Sequence, residues 1–401
     1  MTMARLADQP WRVGSTALAA RKLHNPVHLL LVIAAIVAAT NLPLLTYAPN
    51  RLLSGQGILL SQLAARYWLL ALPALPLLAA PWLRPSRSSC IVLLLAAAGL
   101  SGGLLALAGH EAQLRSGDAD SLARISFGGA FWLLLLTAWL QLAEALRGLA
   151  LALPARVAVI LAALAPIVAL IVSGYLDSLS LLKEYQNHQD AFNLALLRHL
   201  QLVVFSVVPA VVVGALLGAL SFRSRRARKL LFPVLNVIQT IPSIALFGLL
   251  IGPLALLGSL LPQSGIGGVG LPPALLALSL YSLLPMANGT LAGLEQVPAD
   301  VREAASGIGM SSWQIFFHVE LPLALPVFLA SVRVTTVQAV GLAVVAALIG
   351  AGGFGVLMFQ GMSSSALDLV LLGVIPVILL AIGADTLFKV AIVLLRRQNH
   401  D

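Results

Sequence analysis

The chain has 401 residues, of which 60% are hydrophobic and 10% are charged, and its mean hydropathy is +0.98. Soluble domains carry about 25% charged residues, so this composition excludes a soluble protein and indicates an integral membrane protein. The net charge of +9 comes from basic residues in short loops, which favours cytoplasmic loops of a membrane protein over a nucleic-acid partner. Cys90 is the only cysteine, which excludes an intrachain disulfide and a CxxC redox or zinc site.

Apolar runs of about twenty residues recur along the whole chain, and each is long enough to cross the hydrocarbon layer as a helix. The sequence therefore predicts an all-α integral membrane protein with about ten transmembrane helices. The first five predicted spans are Val27–Tyr47, Tyr67–Leu83, Cys90–Gly109, Phe127–Leu146 and Val157–Tyr175. The second five are Leu200–Leu220, Phe232–Ile251, Pro272–Ala292, Pro326–Gly350 and Leu367–Leu395.

The polar stretch between Tyr175 and His199 separates these two groups of spans. It predicts two membrane regions joined by an exposed connector. The predicted segments are a cytoplasmic N-terminal segment (1–26), a five-span N-terminal membrane region (27–176), an extracytoplasmic connector (177–199) and a C-terminal core (200–395). Within the core, residues 293–325 form a predicted cytoplasmic loop.

The distribution of Lys and Arg predicts the orientation in the membrane. If the N-terminus is cytoplasmic, seventeen of the 24 basic residues fall in inside segments and six in outside segments, while Arg333 falls within a span. Because cytoplasmic loops are enriched in these residues, both termini are predicted to be cytoplasmic. The loop at 293–325 then faces the compartment that contains ATP.

The most informative stretch of this loop is EAASGIGMSSWQIFFHVELP, from Glu303 to Pro322. An amphipathic helix is predicted to begin near Arg302 and to hold Glu303 in its first turn, where the helix dipole favours an anion. Gly309 is predicted to interrupt this helix, and Pro322 to restart the chain into the next span. A helix that lies between two membrane helices in this way is a docking surface for a partner in the adjacent aqueous compartment.

This spacing resembles the EAA motif of the permeases of bacterial binding-protein-dependent ABC importers. The matching residues are Glu303, Ala304, Ala305, Gly309, Val319, Leu321 and Pro322. Val319 replaces the isoleucine of the motif. In that family the loop is a coupling helix that sits in a groove of a separate ATPase subunit, so the resemblance implies that these residues couple the chain to an ATPase.

Further blocks of the core resemble the osmoprotectant branch of these permeases, whose members import glycine betaine, choline and related quaternary amines. The blocks lie within residues 196–395 and include NVIQTIPSIALFGLLIG, LYSLLPMANGTLAGLEQVPADVREAASGIGM, ELPLALPVFLASVR and ALIGAGGFG. The extra N-terminal spans resemble a longer subtype. The same fold also serves importers of methionine and other solutes, so the resemblance leaves the solute open.

The resemblance implies a permease subunit of the bacterial inner membrane that works by alternating access, and not an enzyme. Its implied partners are cytoplasmic ABC ATPase subunits, a second permease chain (a copy or a related chain) and an extracytoplasmic solute-binding protein. A gradient-driven secondary transporter is the alternative, and it predicts paired intramembrane acids and internal repeats, which the sequence does not show. A non-transporting assembly or sensor protein is a third interpretation.

One polar group in the core spans is a candidate for lining a transport pathway. Its members, in an otherwise apolar predicted span, are Gln239, Thr240, Pro242 and Ser243. Proline removes a backbone hydrogen bond and kinks the helix, and the freed carbonyls can face a cavity. The alternative is a kink that neighbouring helices satisfy, with Ser and Thr bonded to their own backbone.

Other polar side chains fall within later spans. Tyr281 and Asn288 are candidates for the same pathway, and Asn288 alternatively joins two helices through a hydrogen bond. Arg333 is an intramembrane charge, for which hydrogen bonds to carbonyls of a neighbouring helix are favoured over a pathway role. Asp385 and Lys389 are four residues apart and are predicted to form a neutralising pair.

Four glycines lie in the sequence GAGGFG at the end of the ninth predicted span. They are Gly350, Gly352, Gly353 and Gly355. Gly-rich loops bind phosphate when they open a helix after a strand, but no strand is predicted here. Close helix packing or a flexible outer gate is therefore the favoured interpretation.

The basic run FRSRRARK ends at Lys229, at a predicted membrane boundary. It is predicted to anchor the topology. The run could also attract anionic lipid headgroups, which are its expected partner, or respond to ionic strength. The sequence contains no P-loop GK[ST], no HExxH and no GxSxG, so it predicts no catalytic residue, no metal site and no cofactor.

Overall fold

The computed structural model describes residues 24–50, 53, 55–116 and 122–398. Most of the predicted cytoplasmic N-terminal segment, residues 1–23, lies outside the described part of the chain. The chain divides into two compact units, Met1–Leu179 and Ser180–Asp401. Each unit has its own helices and its own buried core, and each is described by itself.

The first unit contains six α-helices and three short strands among its described residues. The helices are α1 (Pro26–Asn41), α2 (Leu60–Leu63), α3 (Ala71–Ala79), α4 (Arg87–Ser116), α5 (Gly129–Gly148) and α6 (Leu153–Val172). The strands are β1 (Pro43–Ala48), β2 (Gln56–Leu59) and β3 (Arg124–Phe127), which form an antiparallel sheet in the order β2-β1-β3.

The sheet accounts for the early end of the first predicted span. That span was expected to continue to Tyr47, but α1 ends at Asn41 and β1 begins at Pro43. The residue before a proline is pushed out of the helical region, and Leu42 accordingly has φ −109° and ψ 148°. The buried strand residues Leu44 and Leu45 prolong the apolar run, so hydropathy alone did not reveal the change from helix to strand.

The second predicted span, Tyr67–Leu83, is a short apolar helical stretch. It consists of a 3-10 turn (Trp68–Leu70), α3 and a second 3-10 turn (Ala80–Trp82). Among the described residues, eight helices are long and apolar enough to cross a membrane, and two shorter apolar helices lie where the first two spans were predicted. The predicted class, an all-α integral membrane protein, is confirmed.

The second unit contains ten α-helices among its described residues. They are α7 (Ser180–Asn187), α8 (Gln189–Arg223), α9 (Arg225–Thr240), α10 (Ser243–Leu260), α11 (Leu271–Glu295), α12 (Ala299–Gly307), α13 (Ser312–Ile315), α14 (Leu321–Leu342), α15 (Gly355–Ser363) and α16 (Leu367–Gln398). A π-helical turn (Phe316–Glu320) joins α13 to α14, and 3-10 turns lie at Pro262–Ser264 and Val345–Ile349.

Glycines bring the central helices of this unit into close contact. A Cβ atom on Gly214 of α8 would lie 2.5 Å from Met286 Cβ, and one on Gly218 would lie 2.6 Å from the Ala287 carbonyl oxygen. On α11, a Cβ atom on Gly289 would lie 1.7 Å from the hydroxyl oxygen of a serine on α14. Small residues four apart allow membrane helices to approach closely, so α8, α11 and α14 form a tightly packed centre.

One predicted span of the core is interrupted. Phe232–Ile251 was expected to be a single kinked helix, but α9 ends at Thr240 and α10 begins at Ser243. Ile241 and Pro242 between them have extended ψ angles of 127° and 139°. Proline disfavours a helical conformation in the residue before it, so the backbone breaks completely at this point.

Candidate functional site

The predicted docking segment begins with α12, which starts at Ala299 directly after Pro298. The helix was expected to begin near Arg302 with Glu303 in its first turn. It begins three residues earlier, and Asp300 is the acidic residue of the first turn. Proline favours the start of a helix because its missing N–H leaves no intrahelical bond unmade, which explains the earlier start. Glu303 lies in the middle of α12 and is exposed.

Gly309 ends α12 through its left-handed conformation, with φ +88°. Its N–H donates to the Ser306 carbonyl at 3.0 Å, and the Met310 N–H donates to the Ala305 carbonyl at 3.2 Å. These two bonds define a Schellman cap, in which a left-handed residue satisfies the last carbonyls of a helix. Three residues separate Glu303-Ala304-Ala305 from Gly309. This spacing places the glycine just past the end of α12, where the left-handed residue is needed.

The chain re-enters the membrane region through α13 and the π-helical turn. Ser311 and Gln314 form a capping box, with the Ser311 N–H donating to Gln314 Oε1 at 2.8 Å. The Leu321 N–H bonds the Phe316 carbonyl, five residues back, because this segment is π-helical. Pro322 then stands in the first turn of α14, where its missing donor costs nothing.

Ion pairs and ring contacts attach this segment to the neighbouring helix ends. Arg302 of α12 lies 3.9 Å from Glu320 and places its guanidinium 5.5 Å from the Phe222 ring centroid at the end of α8. Arg223 lies over the Phe316 ring at 5.4 Å. These contacts give α12 a fixed position relative to α8 and α14. Sequence reasoning missed them, because the partners are far apart in the chain.

A second bond ties the basic run to α11. Arg228 and Glu295 form an ion pair at 2.7 Å between α9 and the last residue of α11. Both side chains are about half exposed, so the pair contributes little stability on its own. Two arginines of the basic run, Arg223 and Arg228, therefore make contacts within the chain.

The segment exposes an apolar surface next to Glu303. Ile308 is 81% exposed, Trp313 67% and Phe317 51%, and the last two rings are stacked with centroids 5.6 Å apart. Ala304 and Gly309 are exposed beside them, whereas Ala305 is buried. Leu321 is partly exposed, and Val319 and Pro322 are half-buried where the chain enters α14. Several large apolar side chains exposed within one short segment indicate an interaction site. The i, i+4 spacing of Trp313 and Phe317 was the sequence signal for it.

Two of the candidate pathway residues, Gln239 and Tyr281, form hydrogen bonds around the break between α9 and α10. Gln239 donates from Nε2 to the Tyr281 carbonyl at 2.6 Å, and the Tyr281 hydroxyl donates to the Ile241 carbonyl. These reciprocal bonds hold the broken segment against α11. Tyr281 is 5% exposed, so its geometry is that of a structural brace.

The remaining members of that group stand apart from the brace. Thr240 is exposed and donates to the carbonyl of Val237, as the alternative interpretation expected. Pro242 is exposed and Ser243 half-buried. Asn288 is exposed on α11. The exposed residues Thr240, Pro242 and Asn288 therefore remain candidates for lining a pathway or contacting another chain.

The charged side chains of α14 and α16 form one cluster. Asp385 accepts from Lys389 at 2.6 Å, as the sequence predicted, and its other oxygen lies 3.7 Å from Arg333 Nε. Arg333 was expected to donate hydrogen bonds to carbonyls of a neighbouring helix. In the structure it forms this ion pair with Asp385 instead. A carboxylate shared by two cations leaves a net single positive charge in the cluster, which lowers the cost of placing Arg333 within a span.

The GAGGFG segment packs against α8. Gly350, Gly352 and Gly353 have φ values of +77°, +87° and +82°, which side chains other than glycine rarely adopt. A Cβ on Gly353 would lie 3.2 Å from Nδ1 of the buried His199, whose Nε2 donates to the Val340 carbonyl at 3.1 Å. A Cβ on Gly355 would lie 2.0 Å from a carbonyl oxygen. Close packing is thus visible at Gly353 and Gly355, whereas an added Cβ on Gly350 would meet no atom within 4 Å.

A cavity of about 330 Å³ lies beside this segment. It is lined by Arg198 of α8, Gln360 of α15 and the three glycines at 350, 352 and 353, among others. Among the described residues, no group of three His, Cys, Asp or Glu side chains is placed to hold a metal ion.

Two family descriptions match the chain. Residues 210–397 match the binding-protein-dependent transport system inner membrane component family, and residues 22–182 match the N-terminal domain of ABC transporter permease YehY. Together they cover most of both units.

Individual relatives match about half of the length of the chain. The osmoprotectant import permease protein OsmW of Salmonella typhimurium is 40% identical over 190 residues, which are 47% of this chain and 85% of the relative. The glycine betaine/carnitine/choline transport system permease protein OpuCB of Bacillus subtilis is 33% identical over 48% of this chain and 82% of the relative. The ergothioneine transport permease/ergothioneine binding protein EgtU of Helicobacter pylori is 38% identical over 45% of this chain and 30% of the relative.

Proposed function

Because this chain belongs to the inner membrane component family of binding-protein-dependent transport systems, we propose that it is the permease subunit of an ABC importer for osmoprotectants such as glycine betaine, carnitine or choline. It is a transport component and not an enzyme, and ATP hydrolysis belongs to a separate subunit. The names of the relatives OsmW and OpuCB support the quaternary-amine solute.

We also propose that α12 couples the chain to the ATPase. The observation that supports this is that α12 is capped by a glycine and has exposed apolar side chains next to it. Glu303 and Ala304 stand exposed on α12, and Ile308, Trp313 and Phe317 extend the same surface. An exposed aromatic and aliphatic patch is the composition of the centre of a protein interface. The ATPase subunit is its occupant in this proposal.

The attachment of α12 to the helix ends supports transmission of force from the ATPase. When the ATPase displaces the coupling helix, the membrane helices must move with it. This requires a rigid contact between α12 and those helices. The Arg302–Glu320 pair joins α12 to the start of α14, and the Arg223–Phe316 contact joins α8 to the same region. Closure of two ATPase subunits would then shift α8 and α14 together and open the core to the other side.

The assembly in this proposal contains a second permease chain, an ATPase pair and an extracytoplasmic binding protein. The excess of Lys and Arg in alternate loops supports cytoplasmic termini and a cytoplasmic α12. The proposed division of labour keeps the predicted boundaries: an N-terminal membrane region at 27–176, a connector at 177–199 and the transporting core at 200–395. The glycine segment at Gly350–Gly355 is the proposed outer closure of the core.

The ion pair between α14 and α16 reduces the repulsion between Arg333 and a cationic or zwitterionic solute. A free guanidinium at Arg333 would repel a quaternary ammonium, but Asp385 lies 3.7 Å from it and offsets part of its charge. Thr240 and Asn288 are the exposed polar side chains proposed for the pathway, while Gln239 and Tyr281 position the break between α9 and α10. Recognition of the ammonium by aromatic rings is assigned to the binding protein.

The test is uptake into proteoliposomes that contain this chain, an ABC ATPase that co-purifies with it from its native membrane and the corresponding binding protein. We expect ATP-dependent accumulation of radiolabelled glycine betaine that unlabelled carnitine or choline reduces. Accumulation of labelled ergothioneine or methionine without betaine uptake would reassign the solute and leave the importer intact. Uptake driven by an ion gradient without the ATPase would contradict the importer itself.

A further inference from the structure

The first unit encloses a cavity of about 520 Å³ that the transport proposal does not use. Helices α1, α3, α4 and α5 surround it, together with the segment that includes Tyr67 and Trp68. Its walls are mainly aliphatic, and they include Val32, Leu77, Leu104 and others. Protein interiors are close-packed, with few voids larger than a water molecule, whereas ligand pockets measure about 300–1,000 Å³. The cavity therefore has the size of a ligand site.

One polar side chain in this wall lacks a partner. Gln141 of α5 lines the cavity, is 2% exposed, and its Oε1 has no hydrogen-bond partner among the described residues. Buried polar groups are hydrogen-bonded in nearly all proteins, and an unsatisfied one needs an explanation. The unpaired Oε1 is a hydrogen-bond acceptor, so a ligand hydroxyl that donates to it would satisfy it.

The hydroxyl groups of the wall already have partners. The hydroxyls of Thr40 and Thr137 donate to the carbonyls of Ile36 and Leu134, at 2.8 and 3.0 Å. The Tyr67 hydroxyl donates to Glu111 at 2.9 Å. Gln141 is therefore the buried polar group of this wall that is left to bind a ligand, whereas Trp68, which carries an indole N–H, is 65% exposed.

The wall excludes an ionic ligand. None of the residues that line the cavity is charged. The nearby carboxylate of Glu111 is 1% exposed and already pairs with Arg66 at 3.0 Å and Arg115 at 2.8 Å. A bound ion would lose its hydration without gaining a counter-charge, which is costly. The cavity is thus unsuited to a betaine and requires an uncharged molecule.

The opening of the cavity indicates where the ligand comes from. Ile36, Trp68 and Leu78 line the cavity and are also 49%, 65% and 36% exposed. They stand on α1 and on the segment around α3, so the cavity opens between these two elements. The neighbouring exposed side chains, Val37 and Leu75, are apolar as well. In a membrane protein such a surface faces hydrocarbon, so a molecule dissolved in the bilayer can enter.

We propose that this cavity binds an uncharged membrane amphiphile, an apolar chain or ring system that ends in one hydroxyl group. The hydroxyl bonds the Gln141 amide, and the apolar body extends past α1 towards Trp68. Val32 and Thr40, which both line the cavity, are eight residues apart on α1, so the site is about 12 Å long at about 1.5 Å per residue.

The position of Trp68 permits a direct binding measurement. The probe is 10-bromodecan-1-ol, whose bromine quenches tryptophan fluorescence at the end of the chain away from the hydroxyl. It is titrated into the purified full-length protein in detergent. The chain has six tryptophans, so Trp68→Phe identifies the part of the quenching that comes from the cavity. We expect saturable quenching of Trp68 at low probe concentration.

Two variants and a second probe distinguish the contribution of the Gln141 amide to binding from that of the apolar space. Gln141→Leu keeps the volume and removes the amide, and we expect it to weaken binding about two- to tenfold, the size of one neutral hydrogen bond. Ala74→Leu fills the space, and we expect it to remove saturable quenching. The probe 1-bromodecane lacks the hydroxyl, and it should bind Gln141→Leu and the unaltered protein equally.

Three results would overturn the proposal. The first is quenching of Trp68 that does not saturate, or that Ala74→Leu leaves unchanged, which would mean that detergent or a protein segment fills the space. The second is equal affinity for the two probes in the unaltered protein. The third is an unchanged affinity for the alcohol in Gln141→Leu, since the proposed bond would then be absent.

Discussion

The central helices of the second unit are packed more closely than the four helices around the large cavity of the first unit. In the second unit, glycines on α8 and α11 bring backbones together until a single added Cβ atom would overlap a neighbour. In the first unit, α1, α3, α4 and α5 stand around about 520 Å³ of apolar cavity. A tightly packed centre transmits displacement, whereas a cavity accommodates a guest. In our proposals, the second unit, which contains the coupling segment, moves as packed helices, and the cavity of the first unit binds a ligand.

The largest expected effect is on coupling, at the end of α12. Gly309→Asp forces an L-residue into φ +88°, which costs about 1–2 kcal/mol and shifts the chain that follows. We expect ATP-dependent uptake in proteoliposomes to fall at least tenfold while the protein still inserts into the membrane.

The matched control for this change is Gly307→Asp. It adds the same charge two residues earlier, in the helical part of α12, where an added Cβ meets no atom within 4 Å. Equal loss of uptake in both variants would show that charge, and not backbone conformation, is responsible. Failure of Gly309→Asp to reach the membrane would contradict a coupling role.

Enlarging a small residue tests the comparison of the two units directly. Gly218→Leu adds a side chain where the Ala287 carbonyl oxygen lies 2.6 Å from the Cβ position, and overpacking of this kind costs about 1–3 kcal/mol or more. Ala74→Leu adds carbon atoms to the empty space of the first unit, where each buried CH₂ contributes up to about 0.8 kcal/mol.

We therefore expect Gly218→Leu to lower the thermal midpoint in detergent and Ala74→Leu to leave it unchanged or raise it. Size-exclusion chromatography after heating measures both. A further control in the second unit is Gly248→Leu on α10, where an added Cβ meets no atom within 4 Å. The contrast between the units would be lost if all three variants behaved alike.

A smaller effect is expected in the charge cluster of α14 and α16. Asp385→Asn leaves Arg333 and Lys389 without their shared carboxylate. We expect a lower yield of inserted protein and a thermal midpoint lowered by a few degrees, since unpaired charges are costly in a span. The double variant Arg333→Gln/Asp385→Asn should recover part of the loss. Additive losses in the double variant would show that the two side chains do not interact.

The smallest effect is expected at the brace between α11 and the break that separates α9 from α10. Tyr281→Phe keeps the ring and removes the hydroxyl that donates to the Ile241 carbonyl. We expect a loss of about 1 kcal/mol of stability, the net worth of one hydrogen bond. Thr240→Val is the control, because the Thr240 hydroxyl bonds only its own helix. Urea titration of both variants in detergent measures the difference.

Local features of this protein were predictable from its sequence. The membrane class follows from the length of apolar runs, and the end of α12 at Gly309 follows from the need for a left-handed residue at a helix terminus. The Asp385–Lys389 pair follows from their spacing on one helix face. Each of these effects acts within a few residues, so the sequence specifies it directly.

Features that join distant residues were decided by the tertiary structure. The antiparallel pairing of β1 with β3 joins residues about eighty apart, and the apolar strand residues are indistinguishable from a span by hydropathy. The salt bridge of Arg333 to Asp385, and the contacts of Arg302 and Arg223, depend on which helices become neighbours. The unpaired amide of Gln141 arises from the empty space between four helices, because packing, and not local preference, determines what a buried side chain can reach.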